Sequence, residues 1–154
     1  MPIKICAVGY EPKDPLCILA QSYLERGGRR LGAAIEPVAE AKRKKGQNDT
    51  AHRDFEAQKL KVASERCFRI ALDAEGKSYS SEAFADYLLQ LQNQGHRVAF
   101  LIGGPTGLSE PMKKDADALL SLSKMTLPHR LALCFLSEQL YRVSEIWRGG
   151  PYHK

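Results

Sequence analysis

Arg97-Val98-Ala99-Phe100-Leu101-Ile102-Gly103-Gly104-Pro105-Thr106-Gly107 is a continuous apolar run that ends on two glycines and a proline. An apolar run of this length, bounded by turn residues, reads as a buried strand. Where it stops, Gly103 and Gly104 let a ligand approach the main chain with no side chain in the way. In open α/β sheets ligands bind at the carboxyl ends of strands, which is where this turn sits. No Gly-Lys-Ser/Thr follows, so it is not a Walker loop, and its spacing is not the G-x-G-x-x-G of dinucleotide sites. Taken by itself, a Gly-Gly-Pro turn also reads as a tight loop and nothing more.

Working outward, strand and helix patterns alternate. Ile3 to Gly9 is a first strand, and Asp14 precedes a helical pattern that Gly27-Gly28 is expected to stop. Ala33 to Val38 forms a second strand, Ala39 to Asn48 a polar loop, and Asp49 to about Glu65 a charged helix. Cys67 to Asp73 is a third strand followed by the turn Ala74–Lys77; Ser80-Ser81-Glu82 opens a helix that Gly95 ends. After the glycine turn, Leu108 to Leu119 reads as a short helix, Leu120 to Ser123 as a last strand, and Pro128 opens a long helix to about Trp147. This order predicts one α/β domain over residues 1–154, a mostly parallel sheet with helices on both faces.

Composition narrows the class. Hydrophobic residues at 44% and charged residues at 27% suit a soluble globular protein of one-domain length. No apolar run approaches the ~18 residues of a membrane span. The N-terminus reads as a strand rather than a signal peptide, which predicts a cytoplasmic protein. Cys6, Cys17, Cys67 and Cys134 form no C-x-x-C pair, and His52, His96, His129 and His153 are scattered, so no metal site is expected. The net charge of +5 is concentrated in Lys42-Arg43-Lys44-Lys45 and in Arg26, Arg29 and Arg30. Such clusters attract polyphosphate, or are simply a solvated face.

Two further motifs lie C-terminal to the glycine turn. Leu122-Ser123-Lys124-Met125-Thr126-Leu127-Pro128-His129 leads into the last helix and leaves backbone groups free to read an adenine edge, unless it is a plain strand-to-helix connection. The last helix carries an apolar stripe, Leu136, Leu140, Val143, Ile146 and Trp147, which reads as core or as a dimer face, with Glu138, Tyr141 and Arg142 as its polar members. The chain then ends on Tyr152-His153-Lys154.

Together, Leu72-Asp73 with Gly76-Lys77, then L-I-G-G-P-x-G-L-S, L-S-x-M-T-L-P-H, E-Q-L-Y-R and a terminal P-Y-H-K resemble the RlmH family. These are SPOUT-class methyltransferases acting on N3 of a pseudouridine in large-subunit (23S) ribosomal RNA. The resemblance covers nearly the whole chain and is densest from Leu72 onward. It implies a C-terminal trefoil knot, an obligate homodimer, and S-adenosyl-L-methionine held mainly by backbone. The cofactor contacts would be Leu72, Gly103, Gly104 and the run Leu122, Ser123, Lys124, Met125, Thr126 and Leu127. His129, Arg142, Tyr152, His153 and Lys154 would meet RNA of the large subunit or assembled ribosome, with His153 and Arg142 the catalytic candidates. The family tail usually reads N-H-P-Y-H, where this chain has Gly149-Gly150-Pro151-Tyr152-His153, a change expected to loosen the tail.

The implied reaction is one displacement, in which alignment of the reactants alone supplies about 7 kcal/mol or more. The ring nitrogen attacked carries a weakly acidic proton, so some group must take it; His153 is the expected base and Arg142 the expected stabiliser of the anion. Two rival readings stay open at this point. A pure RNA-binding module accounts for the basic loop and the tail but not for the glycine turn. A nucleotide-binding oxidoreductase lacks its G-x-G-x-x-G.

Overall fold

The computed structural model describes residues 2–42, 45–46 and 48–154. Ten elements follow in the order β1 (Ile3–Val8), α1 (Pro15–Leu31), β2 (Ala33–Val38), α2 (Asp49–Ala63), β3 (Phe68–Ser78), α3 (Ser81–Asn93), β4 (Val98–Ile102), α4 (Glu110–Asp115), β5 (Ala118–Ser121) and α5 (His129–Arg148). The five strands form one parallel sheet in the order β2-β1-β4-β3-β5.

Strand residues alternate between two apolar layers, as the two-residue period of a strand demands. Ile3, Ile5 and Ala7 of β1 and Val98, Phe100 and Ile102 of β4 face a core shared with α1, α3 and α5. Cys6, Val8, Ala99 and Leu101 face a second core under α2 and α4, where Leu60 and Met112 are buried. All five residues of β4 are buried, because it lies at the centre of the sheet with helices on either side. Burial also pushes the Cys6 thiol up to about 12, which keeps it protonated and inert. Among the described residues no helix is long and apolar enough to cross a membrane, and no cluster of three or more metal-ligating side chains occurs.

Several local expectations are corrected. Gly28 does not stop α1: it kinks the helix at φ 54°, and the chain resumes to Leu31 before Gly32 ends it in the left-handed region. The expected turn Ala74–Lys77 is an irregularity inside a longer β3. Its register against β5 jumps between Leu72 and Lys77, and a side chain at Gly76 would lie 2.7 Å from the Leu119 carbonyl carbon. The segment expected as a helix over Leu108–Leu119 forms only the short α4, because Ala118 and Leu119 already belong to β5. Pro128 sits one residue outside α5, in extended conformation, and its carbonyl accepts from Ala132 N at 2.9 Å.

The stripe of α5 expected as a possible dimer face is mostly core. Leu136, Leu140 and Val143 are fully buried within the chain itself, and the Trp147 indole N–H donates to Ala85 O at 3.2 Å. The large apolar side chains left exposed on α5 are Leu131 and Phe135. The basic run Lys42–Lys45 is only partly placed: Arg43 and Lys44 lie outside the described residues.

Candidate functional site

The chain leaves β1 toward β2 on one side and leaves β4 toward β5 on the other. α1 packs on one face of the sheet and α4 on the opposite one. A crevice opens at the carboxyl ends of strands where connections part in this way. A cleft of about 710 Å³ occupies that position, lined by residues 102–108, by Thr126, Leu127, Pro128 and His129, and by Leu72 and Ala132. It continues into a smaller cavity of about 220 Å³ that shares Leu72, Gly107, Leu108, Thr126, Leu127 and Ala132 and adds Leu122, Ser123 and Met125. The larger space lies within the range that holds a drug-sized ligand.

The fold thus brings together three runs that are far apart in sequence. Leu72 ends the regular part of β3, the loop after β4 supplies Gly103 to Leu108, and residues 122–127 connect β5 to α5. Among the described residues, main-chain groups of 123–127 make no backbone–backbone hydrogen bond; Met125 N is taken by Ser123 Oγ at 3.0 Å and Ser123 O by Ser121 Oγ at 3.1 Å. Thr106 Oγ1 is buried at the cleft with no partner. A free peptide edge and an unpaired hydroxyl, among leucines and alanine, suit a flat apolar ring bearing hydrogen-bonding groups. Lys124 is the exception, since it is exposed and lines neither cavity.

The two glycines of the turn work differently from the sequence expectation. A Cβ on Gly103 would meet not open ligand space but the backbone of Gly107 and Leu108, at 2.6 to 2.8 Å. A Cβ on Gly104 would meet Val8 Cγ1 at 2.9 Å and the Glu56 carboxylate at 3.2 Å. Gly103 lets the loop close on itself, through Gly107 N to Gly104 O at 2.9 Å, and Gly104 lets it seat against Val8 and Glu56. Ligand room is a consequence of that closure.

At the rim, Lys113 Nζ lies 2.7 Å from Asp73 Oδ2. Burial by itself would raise the Asp73 carboxyl. Hydrogen bonds from Lys113 and from Glu75 N outweigh it and hold the group below the ordinary carboxylate range. The sequence reading did not single out this pair, and its only signal was the residue next to Leu72.

His129 begins α5 and lines the cleft, with Nε2 buried and unpaired. The neighbouring Arg130 ties the helix start to the β1–α1 connection: Nε donates to Gly9 O at 3.0 Å and Nη1 lies 3.3 Å from Asp14 Oδ2. Burial and the adjacent Arg130 charge lower the His129 imidazole below its ordinary value; Glu40 and Asp14 oppose them.

Arg142, Tyr152 and His153 form a second cluster. Arg142 pairs with Glu138 on the same helix and stacks over the Tyr152 ring at 4.8 Å. Tyr152 Oη donates to Glu138 Oε1 at 2.9 Å, and burial together with that bond pushes the phenol up to about 12. Arg142 Nη1 donates to His153 Nδ1 at 3.1 Å, so Nε2 bears the ring hydrogen and donates to Glu82 Oε1 at 2.7 Å. Lys154 is exposed. Gly149 and Gly150 do not loosen this tail. Gly149 N reaches Ile146 O at 3.1 Å and Gly150 N reaches Glu145 O at 2.9 Å, a fixed turn with Gly149 in the left-handed region.

The two clusters do not meet within the chain. Arg142 follows Ala132 by ten helical residues, about 15 Å along the axis at 1.5 Å per residue. Residues 1–153 match the family model described as "Predicted SPOUT methyltransferase". The chain belongs to that family. Within it, the chain is 37% identical over 157 residues to "Ribosomal RNA large subunit methyltransferase H" of Cereibacter sphaeroides strain KD131, covering all of this chain and 99% of that protein. The protein of the same description from Rhizobium johnstonii is 38% identical over 159 residues, again with full coverage of this chain and 99% of the relative. These relatives place this SPOUT chain in the RlmH family. Among solved structures, TrmJ from Z. mobilis ZM4 matches over 92% of this chain and 69% of its own, with a TM-score of 0.52 at 13% identity, a likeness of fold.

Proposed function

We propose that the chain is a cytoplasmic S-adenosyl-L-methionine-dependent methyltransferase of large-subunit ribosomal RNA, one catalytic domain over residues 1–154, methylating N3 of a pseudouridine. The observation that carries this is the convergence of Leu72, the loop 103–108 and the run 122–127 on one cleft at the carboxyl edge of the sheet. The names of the full-length relatives support the RNA substrate. The reading includes the trefoil knot of the resemblance, supported by the way the chain passes from β5 along the loop after β4 to reach α5 on α1.

When bound, S-adenosyl-L-methionine supplies a methyl group already activated by the sulfonium. The apolar walls from Leu72, Leu108, Leu122 and Leu127 would exclude water and hold the adenine, and the peptide edge of 123–127 would offer hydrogen bonds to its polar rim. Arg142, Tyr152, His153 and Lys154 hold the RNA: Tyr152 stacks on a base or ribose, while Arg142 and Lys154 meet phosphate. Titration calorimetry tests the cofactor half. S-adenosylhomocysteine is expected to bind, and its failure to bind would overturn the reading in favour of an RNA-binding module. Methylation of ribosomes whose target is pseudouridine, but not of ribosomes with uridine at that site, tests the substrate half.

The working unit in this proposal is a homodimer. Leu131, Phe135, Glu138 and Arg142 follow one another at helical spacing along one face of α5. Its start is exposed and apolar beside the cleft, and its end bears the tail cluster. A two-fold axis across the middle of this face would set one subunit's tail cluster against its partner's cleft, joining what a single chain keeps apart. Replacing both Leu131 and Phe135 with Glu is expected to give a monomer by light scattering and to abolish methyl transfer. A dimer of unchanged mass would place the interface elsewhere.

A further inference from the structure

The geometry points to His129, with the Glu40 carboxylate beside it, as the group that takes the N3 proton of the target base, in place of His153. This rests on the methyltransferase reading above and assigns a role within it.

His153 is badly placed to accept a proton. Its Nδ1 already accepts from Arg142, and its Nε2–H is directed to Glu82. Neither nitrogen has a lone pair left to accept a proton, whichever cleft the tail faces. His129 has the opposite character. It stands at the mouth of the cleft and makes no hydrogen bond, and it is the only histidine among the described lining residues.

The local backbone explains its orientation. Gly9, at φ +74°, ends β1 without a side chain. A Cβ there would lie 2.8 Å from His129 Nε2, 3.3 Å from Cδ2 and 3.1 Å from Glu40 Oε2. The Nε2 edge of the ring and the Glu40 carboxylate therefore share the space Gly9 leaves open. That puts them within the range of about 4–6 Å at which an opposite charge favours the ionised imidazole. In the tautomer with its hydrogen on Nε2, on the side of Glu40, the Nδ1 lone pair is free to accept from a group in the cleft. Arg130, locked onto Gly9 O and Asp14, prevents the start of α5 from turning away.

The step balances as follows. The N3–H proton passes to His129 Nδ1 while the N3–CH₃ bond forms. The C–S bond breaks with its electron pair left on sulfur, and the imidazolium, favoured by the nearby Glu40 charge, then loses its proton to solvent. The charged groups facing the ring are Arg130 beside it, Glu40 from the loop after β2 and Asp14 at the start of α1. Burial and Arg130 prevail, so the free ring is neutral at pH 7 and ready to accept.

The test combines the pH dependence of turnover at saturating RNA with NMR titration of the His129 ring and S-adenosylhomocysteine calorimetry. Wild-type kcat is expected to rise with pH and level off above the His129 titration, which itself lies below the ordinary histidine value. His129→Asn should bind S-adenosylhomocysteine normally and lose about 10²–10⁴-fold in kcat at pH 7, the usual worth of a positioned base. Its rate should go on climbing into the alkaline range, since hydroxide must then take the proton. Glu40→Gln removes the negative charge that raises the imidazole, so both the NMR midpoint and the kcat limb should move to lower pH. His153→Gln should leave the limb in place. A limb that survives in His129→Asn, or that moves with His153→Gln, would overturn the assignment, as would a His129 midpoint indifferent to Glu40→Gln. Wild-type protein that fails to bind S-adenosylhomocysteine would overturn the methyltransferase reading instead.

Discussion

Replacing Gly103 with alanine is expected to weaken S-adenosylhomocysteine binding by about 10- to 100-fold, and replacement with valine to abolish it, in protein that still folds. The added Cβ would lie 2.6 Å from the Gly107 carbonyl carbon and 2.8 Å from both Gly107 O and Leu108 N. Backbone cannot yield as the end of a flexible side chain can, so the loop 103–108 must swing outward. Forcing one methyl into a closed contact costs about 1–3 kcal/mol, and each 1.4 kcal/mol of it lost from the binding-competent loop is a factor of ten in affinity. β4 itself ends at Ile102 with every residue buried, so the sheet keeps its core while its terminal loop opens. Calorimetry alongside thermal unfolding separates the two effects. Unchanged affinity in folded Gly103→Val would show that the loop does not shape the cofactor space.

The same residue marks what the sequence could and could not say. A glycine pair after an apolar strand was legible as a turn at the carboxyl edge of the sheet, because strand length and glycine freedom are local arguments. What the missing side chain touches was not legible, since Gly107 and Leu108 return to Gly103 only through the closed loop. Gly76 gives a parallel case. In sequence it looked like part of a turn, whereas it lets β3 run on past a register shift in direct contact with the Leu119 backbone.

Helix ends followed the same division. Asp14, Ser80 and Ser109 cap α1, α3 and α4 through side-chain bonds to the first-turn amides, and the first two were readable from the pattern. Gly28 looked like a stop because glycine is costly inside helices, but packing of Leu31 against the core carries α1 through the kink. The α5 stripe was correctly apolar, yet periodicity alone does not say which surface covers it. Leu136, Leu140 and Val143 are covered by the rest of the chain, which leaves Leu131 and Phe135 uncovered. Glu138 and Glu82 show the limit most clearly. The i, i+4 spacing of Glu138 and Arg142 is visible in the chain, but the bridge from His153 to Glu82 spans 71 residues and exists only in the fold.

Removing Pro151 to Lys154 is expected to leave S-adenosylhomocysteine affinity within a few-fold of the intact protein while nearly abolishing methyl transfer. None of these residues lines the cleft, and the tail folds back onto Glu82, Glu138 and Arg142, the last about 15 Å along α5 from Ala132. A tail that bound RNA by charge alone would be rescued at low salt. One that positions the target nucleotide lowers turnover even at saturating RNA, and this is the outcome expected. Mixed dimers then decide which subunit's tail serves which cleft. When subunits lacking the tail are co-expressed in equal amounts with Gly103→Val subunits, about half of the dimers are mixed by random pairing. In a mixed dimer with sites shared across the two-fold axis, the normal cleft of the shortened subunit meets the intact tail of its partner. One site of two is then whole, and about a quarter of wild-type activity returns from two inactive parents. If each tail instead served its own cleft, no site in any of these dimers would be complete and the mixture would be as dead as its components. Recovered turnover would therefore place Arg142, Tyr152 and His153 opposite the partner's cleft, and its absence would confine the whole reaction to one chain.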